Sequence, residues 1–446
     1  MPSSRRIRLS DHFTVGRLYR FVIPTILMML FTSMYGVVDG LYLSRFDGKE
    51  AFAAITLIIP VPLLIGAWAY MIGAGGSAVI AKSIASKKQQ EANEFFSFLT
   101  VVSIVGSLVL SSIGVVFLEP IAKLMGASDE LLPYCLTYGR ILISAVPLYV
   151  LQNVFQSFLT VAEHPKIGLV INLISAFLNM ALNFVFIRIT RDAVTAVALA
   201  TVVSQLVGGI TPFIFFMRSK TTSLRFTVPR MGSNIIGQVF ANGASEFISE
   251  IFHPLASVMY NYKLMKLVGL NGVAAYGVLM NVGFLFGAVF LGFAVGSAPL
   301  FSYKYEKEDY VELKSLFRKS AAAVVIMGFL LYGVACMIEG PFAAVFFAGD
   351  EALITMTEEA FALHSLSYMV MGLAVFSSAF FTALHDSRTS GLISFLRTLL
   401  FEVMAILILP ELFDLNGVWA ASLTSEVLTL FITIILLIRK KERFHY

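Results

Sequence analysis

"AAITLIIPVPLLIGAWAYMIGAGGS", residues 53–77, and "AAYGVLMNVGFLFGAVFLGFAVGSA", residues 274–298, decide how this chain is read. Each lacks Asp, Glu, Lys and Arg and exceeds the roughly 20 apolar residues that a helix needs to cross a bilayer. Ala53, Ala54, Gly66 and Gly75 of the first match Ala274, Ala275, Gly287 and Gly296 of the second, all 221 positions apart. A second pair, "FLTVAEHPKIGLVIN" from Phe158 and "FFTALHDSRTSGLIS" from Phe380, repeats at an offset of 222. The chain is therefore a duplication of one helical, apolar unit.

Composition supports the membrane reading. Of the 446 residues 58% are hydrophobic and 13% charged, against about 25% charged in soluble proteins. Mean hydropathy is +0.84. The net charge of +4 says little about acidic partners and nothing points to nucleic acid. Cys135 and Cys336 cannot build a disulfide framework or a zinc site and are expected as buried free thiols. The apolar run after the basic N-terminal stretch is too long for a signal-peptide core and is expected to be the first span.

Twelve spans are predicted, near 18–43, 53–81, 95–117, 134–160, 167–189, 194–216, 234–262, 273–301, 320–338, 360–384, 391–410 and 416–438. Of the 32 Lys and Arg, 23 then fall on the side of the N-terminus and seven on the other. By the positive-inside rule both termini are expected in the cytoplasm. Six spans per half is an even number, so the halves are parallel repeats flanking a central cleft. The expected division is an N-terminal six-helix bundle over 1–216, a basic cytoplasmic linker over 217–233, and a C-terminal bundle with a basic tail over 234–446.

Several stretches, in order along nearly the whole chain, carry a resemblance. They are Pro24 followed by "YGVVDGLYLS" (35–44), "AEHPKIGLVINLISAFLNMALNFVFI" (162–187), "AVALATVVSQ" (196–205), "ANGASEFISEIFHPLASVMYN" (241–261), "GVAAYGV" (272–278) and "GLISFLRTLLF" (391–401). With the duplicated layout, the chain resembles the bacterial multidrug and toxic compound extrusion (MATE) transporters. The resemblance implies export of organic, often cationic, compounds in exchange for Na⁺ or H⁺.

Polar groups inside the spans need explaining, because a charge at the bilayer centre costs about 2.5–3.5 kcal/mol on insertion scales. Asp39 lies six residues before Arg45, about 9 Å inside the outer end of the first span. There it can bind and release a proton or hold a cation, or serve as a structural acid hydrogen-bonded to a neighbouring helix. Asn172, Asn179 and Asn183 share a face of the fifth span. The resemblance implies a cation site of Asp39, Asn179, Asn183 and Thr201, with Na⁺ at Asp39 as one reading. Some relatives carry Asp where this chain has Asn183, which leaves one formal charge, weakens the case for tight Na⁺ binding and leaves H⁺ open as the coupling ion.

A second polar stripe, Glu246, Glu250 and His253, runs along the seventh span beside Pro254. It reads either as a proton or cation site or as a structural network. Met28, Tyr35, Gln152, Asn153, Gln156, Met280 and Phe284 are candidate substrate-lining positions. Glu426 and Arg397 are expected to pair or snorkel, and "GAGGS" (73–77) to pack helices closely. The function expected is a cation-coupled antiporter of the bacterial inner membrane, working by alternating access. It needs no cofactor beyond the coupling ion, has small organic molecules and membrane lipid as partners, and is complete as a monomer. A lipid-linked oligosaccharide flippase of the same superfamily is the alternative. An intramembrane enzyme is more remote, since the chain holds no HExxH or GxSxG.

Overall fold

The computed structural model describes residues 12–219, 222–229 and 235–446, which form helices and turns. The helices of the first repeat are α1 (Val15–Phe46), α2 (Gly48–Ile58), α3 (Pro60–Gly66), α4 (Trp68–Ala85), α5 (Gln89–Val116), α6 (Leu118–Leu124), α7 (Leu132–Val161), α8 (Pro165–Thr190) and α9 (Ala193–Arg218). Those of the second are α10 (Ile235–Val268), α11 (Leu270–Glu306), α12 (Tyr310–Phe346), α13 (Glu351–His364), α14 (Ser367–Ala383), α15 (Ser387–Phe395), a π-helical turn at Leu396–Phe401, and α16 (Glu402–Phe444).

Nine of the described helical stretches are long and apolar enough to span a membrane, and the α13–α14 pair, bent by 47°, makes a tenth. The difference from twelve has two causes. The stretch Ser387–Phe444 counts once, yet Asp414 within it has non-helical backbone angles and divides two spans. The other is α10, which carries the polar stripe and is not among the described helices apolar enough to span. The predicted span 53–81 is broken, with α3 starting at Pro60 and α4 following Ala67.

The duplication is written in the turns. Left-handed residues recur as Gly48 and Gly269, Lys87 and Glu308, Gly126 and Gly349, Glu163 and His385, and Arg191 and Asp414, at offsets of 221 to 223. Five of these turns close with the six-to-one bond of a Schellman cap. Lys88 N donates to Ser83 O, Ala127 N to Ala122 O, His164 N to Leu159 O, Asp309 N to Lys304 O and Asp386 N to Phe381 O, at 2.8–3.0 Å. The equivalence of Asp414 with Arg191, which ends α8, is the reason to place a span boundary at Asp414.

By packing, the described residues form two compact units, one within 38–274 and the other of 12–37 with 275–446. In the first, α10 lies along α4 and α3. A Cβ at Gly75 would sit 2.0 Å from the Val239 carbonyl oxygen, and one at Gly243 2.2 Å from that of Met71. In the second, a Cβ at Gly292 would sit 2.6 Å from Ile26 Cα, and one at Gly296 3.0 Å from Val22. So the opening helix of each repeat is seated against the second helix of the other. Duplication says where copies begin; packing says which helices touch. The foot of α1 is also fastened to α12: Phe13 N donates to Glu312 Oε1 (2.8 Å), His12 Nδ1 meets Glu312 Oε2 (2.7 Å), and Lys319 Nζ donates to Phe13 O (2.6 Å).

Each unit has an aromatic cluster at equivalent places. Phe96 and Phe158 sit 5.4 Å apart, and their counterparts in the second repeat, Phe317 and Phe380, 4.8 Å apart. The segment after α9 returns Phe226 to within 4.7 Å of Phe96, and the end of α16 returns Tyr446 to within 4.8 Å of Phe317. The first return is held by Thr227 N donating to Ser97 Oγ and Arg225 N to Asn93 Oδ1. The remainder of the predicted linker, 220–221 and 230–233, lies outside the described residues. One expectation needs correcting. Cys135 is buried, but Cys336 is exposed. It shares α12 with the exposed Ile326, Phe329, Leu330, Val334 and Met337, a surface suited to hydrocarbon, where a thiol needs no enclosure.

Candidate functional site

Three helices of the 38–274 unit converge on Asp39. The carboxylate comes from the C-terminal part of α1, the two amides from α8 and the hydroxyl from α9. Asp39 is buried, as are Asn179 and Asn183, which are 2% and 1% exposed. Asn183 Nδ2 donates to Asp39 Oδ1 at 2.5 Å and reaches Asn179 Oδ1 at 3.4 Å. Asn179 Nδ2 donates to Thr201 Oγ1 at 3.2 Å, and the Thr201 hydroxyl lies beside the same carboxylate. Asn179 and Asn183 can act together because their spacing places both side chains on one face, one turn apart. Asn183 Oδ1 is buried with no hydrogen-bond partner. An unpaired buried acceptor is costly.

The same three helices are tied where α1 and α8 end and α9 begins. Asp192 caps α9, its carboxylate accepting from Val194 N and Thr195 N at 3.2 Å. Asp47, just past the end of α1, accepts from the same Val194 N at 2.8 Å. Burial, and then the adjacent Asp192 carboxylate, push Asp47 above the usual carboxylate range. Two turns of α1 separate this clamp from Asp39, so it fixes the helix end that carries the acid. Sequence reasoning misses Asp47, whose partner Val194 belongs to a helix far along the chain; Asp192 before an apolar run is a readable cap signal.

The MatE family profile matches residues 24–185 and 247–408, two copies offset by 223. The chain belongs to the MatE family. Among its relatives, the multidrug export protein MepA of Staphylococcus haemolyticus is 22% identical over 430 residues, covering 95% of this chain and 93% of that protein. The protein of that name from Staphylococcus saprophyticus is 24% identical over 423 residues, covering 92% and 89%. In structure, the chain superposes on the inward-facing conformation of a multidrug resistance MATE family transporter of the MOP superfamily, with TM-score 0.85, 18% identity and coverage of 95% and 98%. The twelve-segment helical duplication is thus a MatE fold.

Within this MatE chain the other candidates fall as follows. Asn172 does not join Asp39: it accepts from Gln152 Nε2 at 3.1 Å and ties α7 to α8. Glu246 and His253 are exposed and Glu250 is half-buried. Glu250 lies seven residues from Gly243, on the side of α10 that meets α4, whereas Glu246 and His253 stand at the edge of that side. Of the lining candidates, Gln152, Asn153 and Gln156 belong to the 38–274 unit and Met28, Met280 and Phe284 to the other. Asn153 Nδ2 turns back to Tyr149 O. Phe284 is exposed and Met28 and Met280 half-buried. The Tyr35 side chain lies outside the described residues. "GAGGS" does pack helices, through Gly75. Arg397 and Glu426 pair, Nε to Oε1 at 2.7 Å.

Proposed function

We propose that the protein is a cation-coupled exporter of amphipathic organic cations, working by alternating access in a bacterial plasma membrane, with both termini cytoplasmic. Support for export comes from family membership and from the staphylococcal relatives, which bear the name multidrug export protein. The observation that carries the coupling reading is Asp39 buried in a ring of neutral side chains, with no cation among the described residues that contact it.

The donor set favours a proton as the coupling ion. Asp39 is met by an amide N–H and sits beside a hydroxyl, groups that stabilise a carboxylate without neutralising it. Protonation by hydronium leaves a neutral carboxyl that no longer needs those donors. Na⁺ would need a shell of oxygens, which this ring offers only if the Asn183 amide turns its free Oδ1 inward. A ligand shifts a conformational equilibrium only through its difference in affinity for the two states. The difference here is between a charged and a neutral Asp39, carried by α1. An exporter then alternates because cargo and ion favour opposite states.

The test is transport of a fluorescent organic cation in proteoliposomes under separately imposed proton and Na⁺ gradients. Uptake driven by the proton gradient alone is expected. Movement that neither gradient drives, at matched reconstitution, would remove the coupling reading. No observation favours the flippase or enzyme alternatives.

A further inference from the structure

The second repeat has a polar centre of its own, and nothing so far explains it. Glu426 of α16 is 5% exposed and stands midway through its span, between the break at Asp414 and the basic end that begins at Arg439. Arg397 Nε holds its Oε1; Oε2 is buried without a partner. Arg397 sits in the π-helical turn 396–401, and the Arg397 carbonyl is taken by Ser425 Oγ at 3.0 Å. Such turns recur at functional sites because they loosen the helical ladder. A purely structural ion pair needs both carboxylate oxygens satisfied to repay its desolvation; this one leaves an oxygen bare.

A row of hydroxyls leads toward the pair. Exposed Thr382 Oγ1 donates to Ser390 Oγ at 2.8 Å, Ser390 Oγ meets Ser378 Oγ at 2.9 Å, and Ser378 Oγ meets Ser394 Oγ at 3.0 Å. Ser394 is one helical turn from Arg397. The row starts at the turn holding His385 and Asp386, where water reaches the chain. Hydroxyls both donate and accept, so such a row can pass a proton along.

We propose that Glu426 is a second membrane-embedded proton site, filled along the Thr382–Ser390–Ser378–Ser394 row and paired with Arg397 when empty. Hydronium gives its proton to the carboxylate and leaves as water; the carboxyl becomes neutral and Arg397 keeps its charge, since guanidinium does not titrate in proteins. The site passes from net neutral to one positive charge. Among the elements around α16, α13 carries Glu351, Glu358, Glu359 and His364, α14 the Tyr368 phenol, and α15 Arg388. Of the charged groups described, Arg397 is the one that acts on Glu426. The site lies in a different unit from Asp39 and stands or falls without it.

Infrared difference spectra of the full chain in micelles, taken between acid and alkaline buffer, test this directly. The carboxyl band of a buried protonated acid is expected. Glu426→Gln should remove it, Glu426→Asp should shift it, and Asp39→Asn should leave it. Ser378→Ala should slow its appearance after a pH jump while reaching the same end point. A spectrum that Glu426→Gln leaves unchanged overturns the proposal, as does an Asp39→Asn protein with no such band. If Glu426→Gln fails to run as a single species on gel filtration, Glu426→Asp decides: an unmoved band overturns it equally. Loss of the Asp39 signal alone would bear on the coupling reading and not on this one.

Discussion

The two repeats agree in their turns and disagree in their polar centres. Left-handed residues, close-packed glycines and the Phe pairs 96/158 and 317/380 hold equivalent places in both copies. The polar residues do not. At the offset of the flanking turns Tyr260 stands where Asp39 stands, Asn183 maps to Ala405 or Ile406, and only Thr201 finds its like in Thr424. Conversely, Glu426 maps back to Val203 and Arg397 to Ile174 or Ser175. A turn must satisfy backbone groups the same way in either copy, because unpaired N–H and C=O groups are costly in apolar surroundings. A buried charge is tolerated only where a copy supplies its partners. The scaffold is thus set by backbone geometry and held twice, while each copy buries a different set of polar groups.

The strongest way to break this comparison is at Asp39. Asp39→Asn should reduce gradient-driven efflux to background at matched expression, whereas Tyr260→Phe at the equivalent place should retain it. Efflux that survives Asp39→Asn would mean the first repeat is not the coupling half. The next effect is in packing. Gly75→Ala forces a Cβ against a carbonyl oxygen and should cost about 3 kcal/mol. Gly296→Ala, whose nearest neighbours are the movable Val22 and Thr25 side chains, should cost about 1 kcal/mol. Gly287→Ala, with only Met371 Cε at 4.0 Å, should be neutral. Thermal unfolding in detergent ranks the three. Equal losses would show that the two first-to-second helix contacts are not as unlike as their atoms.

A smaller change sharpens the comparison at the proposed ion site. Asn183→Asp adds a second carboxylate to the Asp39 ring and should raise apparent Na⁺ affinity about tenfold, the equivalent of about 1.4 kcal/mol. Ion-dependent protection against thermal unfolding reads it. An unchanged Na⁺ response would show that position 183 does not face the ion.

Much of this is legible in the residues themselves. Long uncharged runs dictate spans, and a fixed offset dictates duplication. The Asp39 ring is readable because Asn179 and Asn183 are one turn apart and their neighbours resemble a family. Other features depend on contacts between distant residues. An offset cannot tell that Gly75 receives α10, since Val239 is far along the chain and helices of either copy are equally apolar. The clamp at the end of α1 joins Asp47 to Val194 through backbone, which leaves no mark on composition. Arg397 and Glu426 announce themselves as intramembrane charges, but pairing and snorkelling have the same sequence, and only their 2.7 Å approach separates them. The α10 stripe has helical spacing, yet spacing does not say whether a face turns into its unit or away from it.

The mildest prediction concerns one turn in its two copies. Asp386 and His164 occupy equivalent places, each opening a helix after a left-handed residue. The Asp386 carboxylate caps α15 through Thr389 N and accepts from Lys440 at 3.0 Å; His164 makes no such cap on α8. Burial works against the Asp386 carboxylate, but the Thr389 hydroxyl and the Lys440 ammonium outweigh it and hold its pKa below the usual range. A depressed native value stabilises the fold above the unfolded value of about 3.9, and that contribution fades as pH falls through the native value. Asp386→Asn should therefore cost about 1 kcal/mol at neutral pH, the ordinary worth of a charged cap. His164→Asn should stay within about 0.5 kcal/mol. Toward the acid limit the Asp386→Asn deficit should close while the His164 variant does not move. A deficit that persists undiminished in acid would locate the loss in packing and not in the charge, and the two turns would then differ in shape alone.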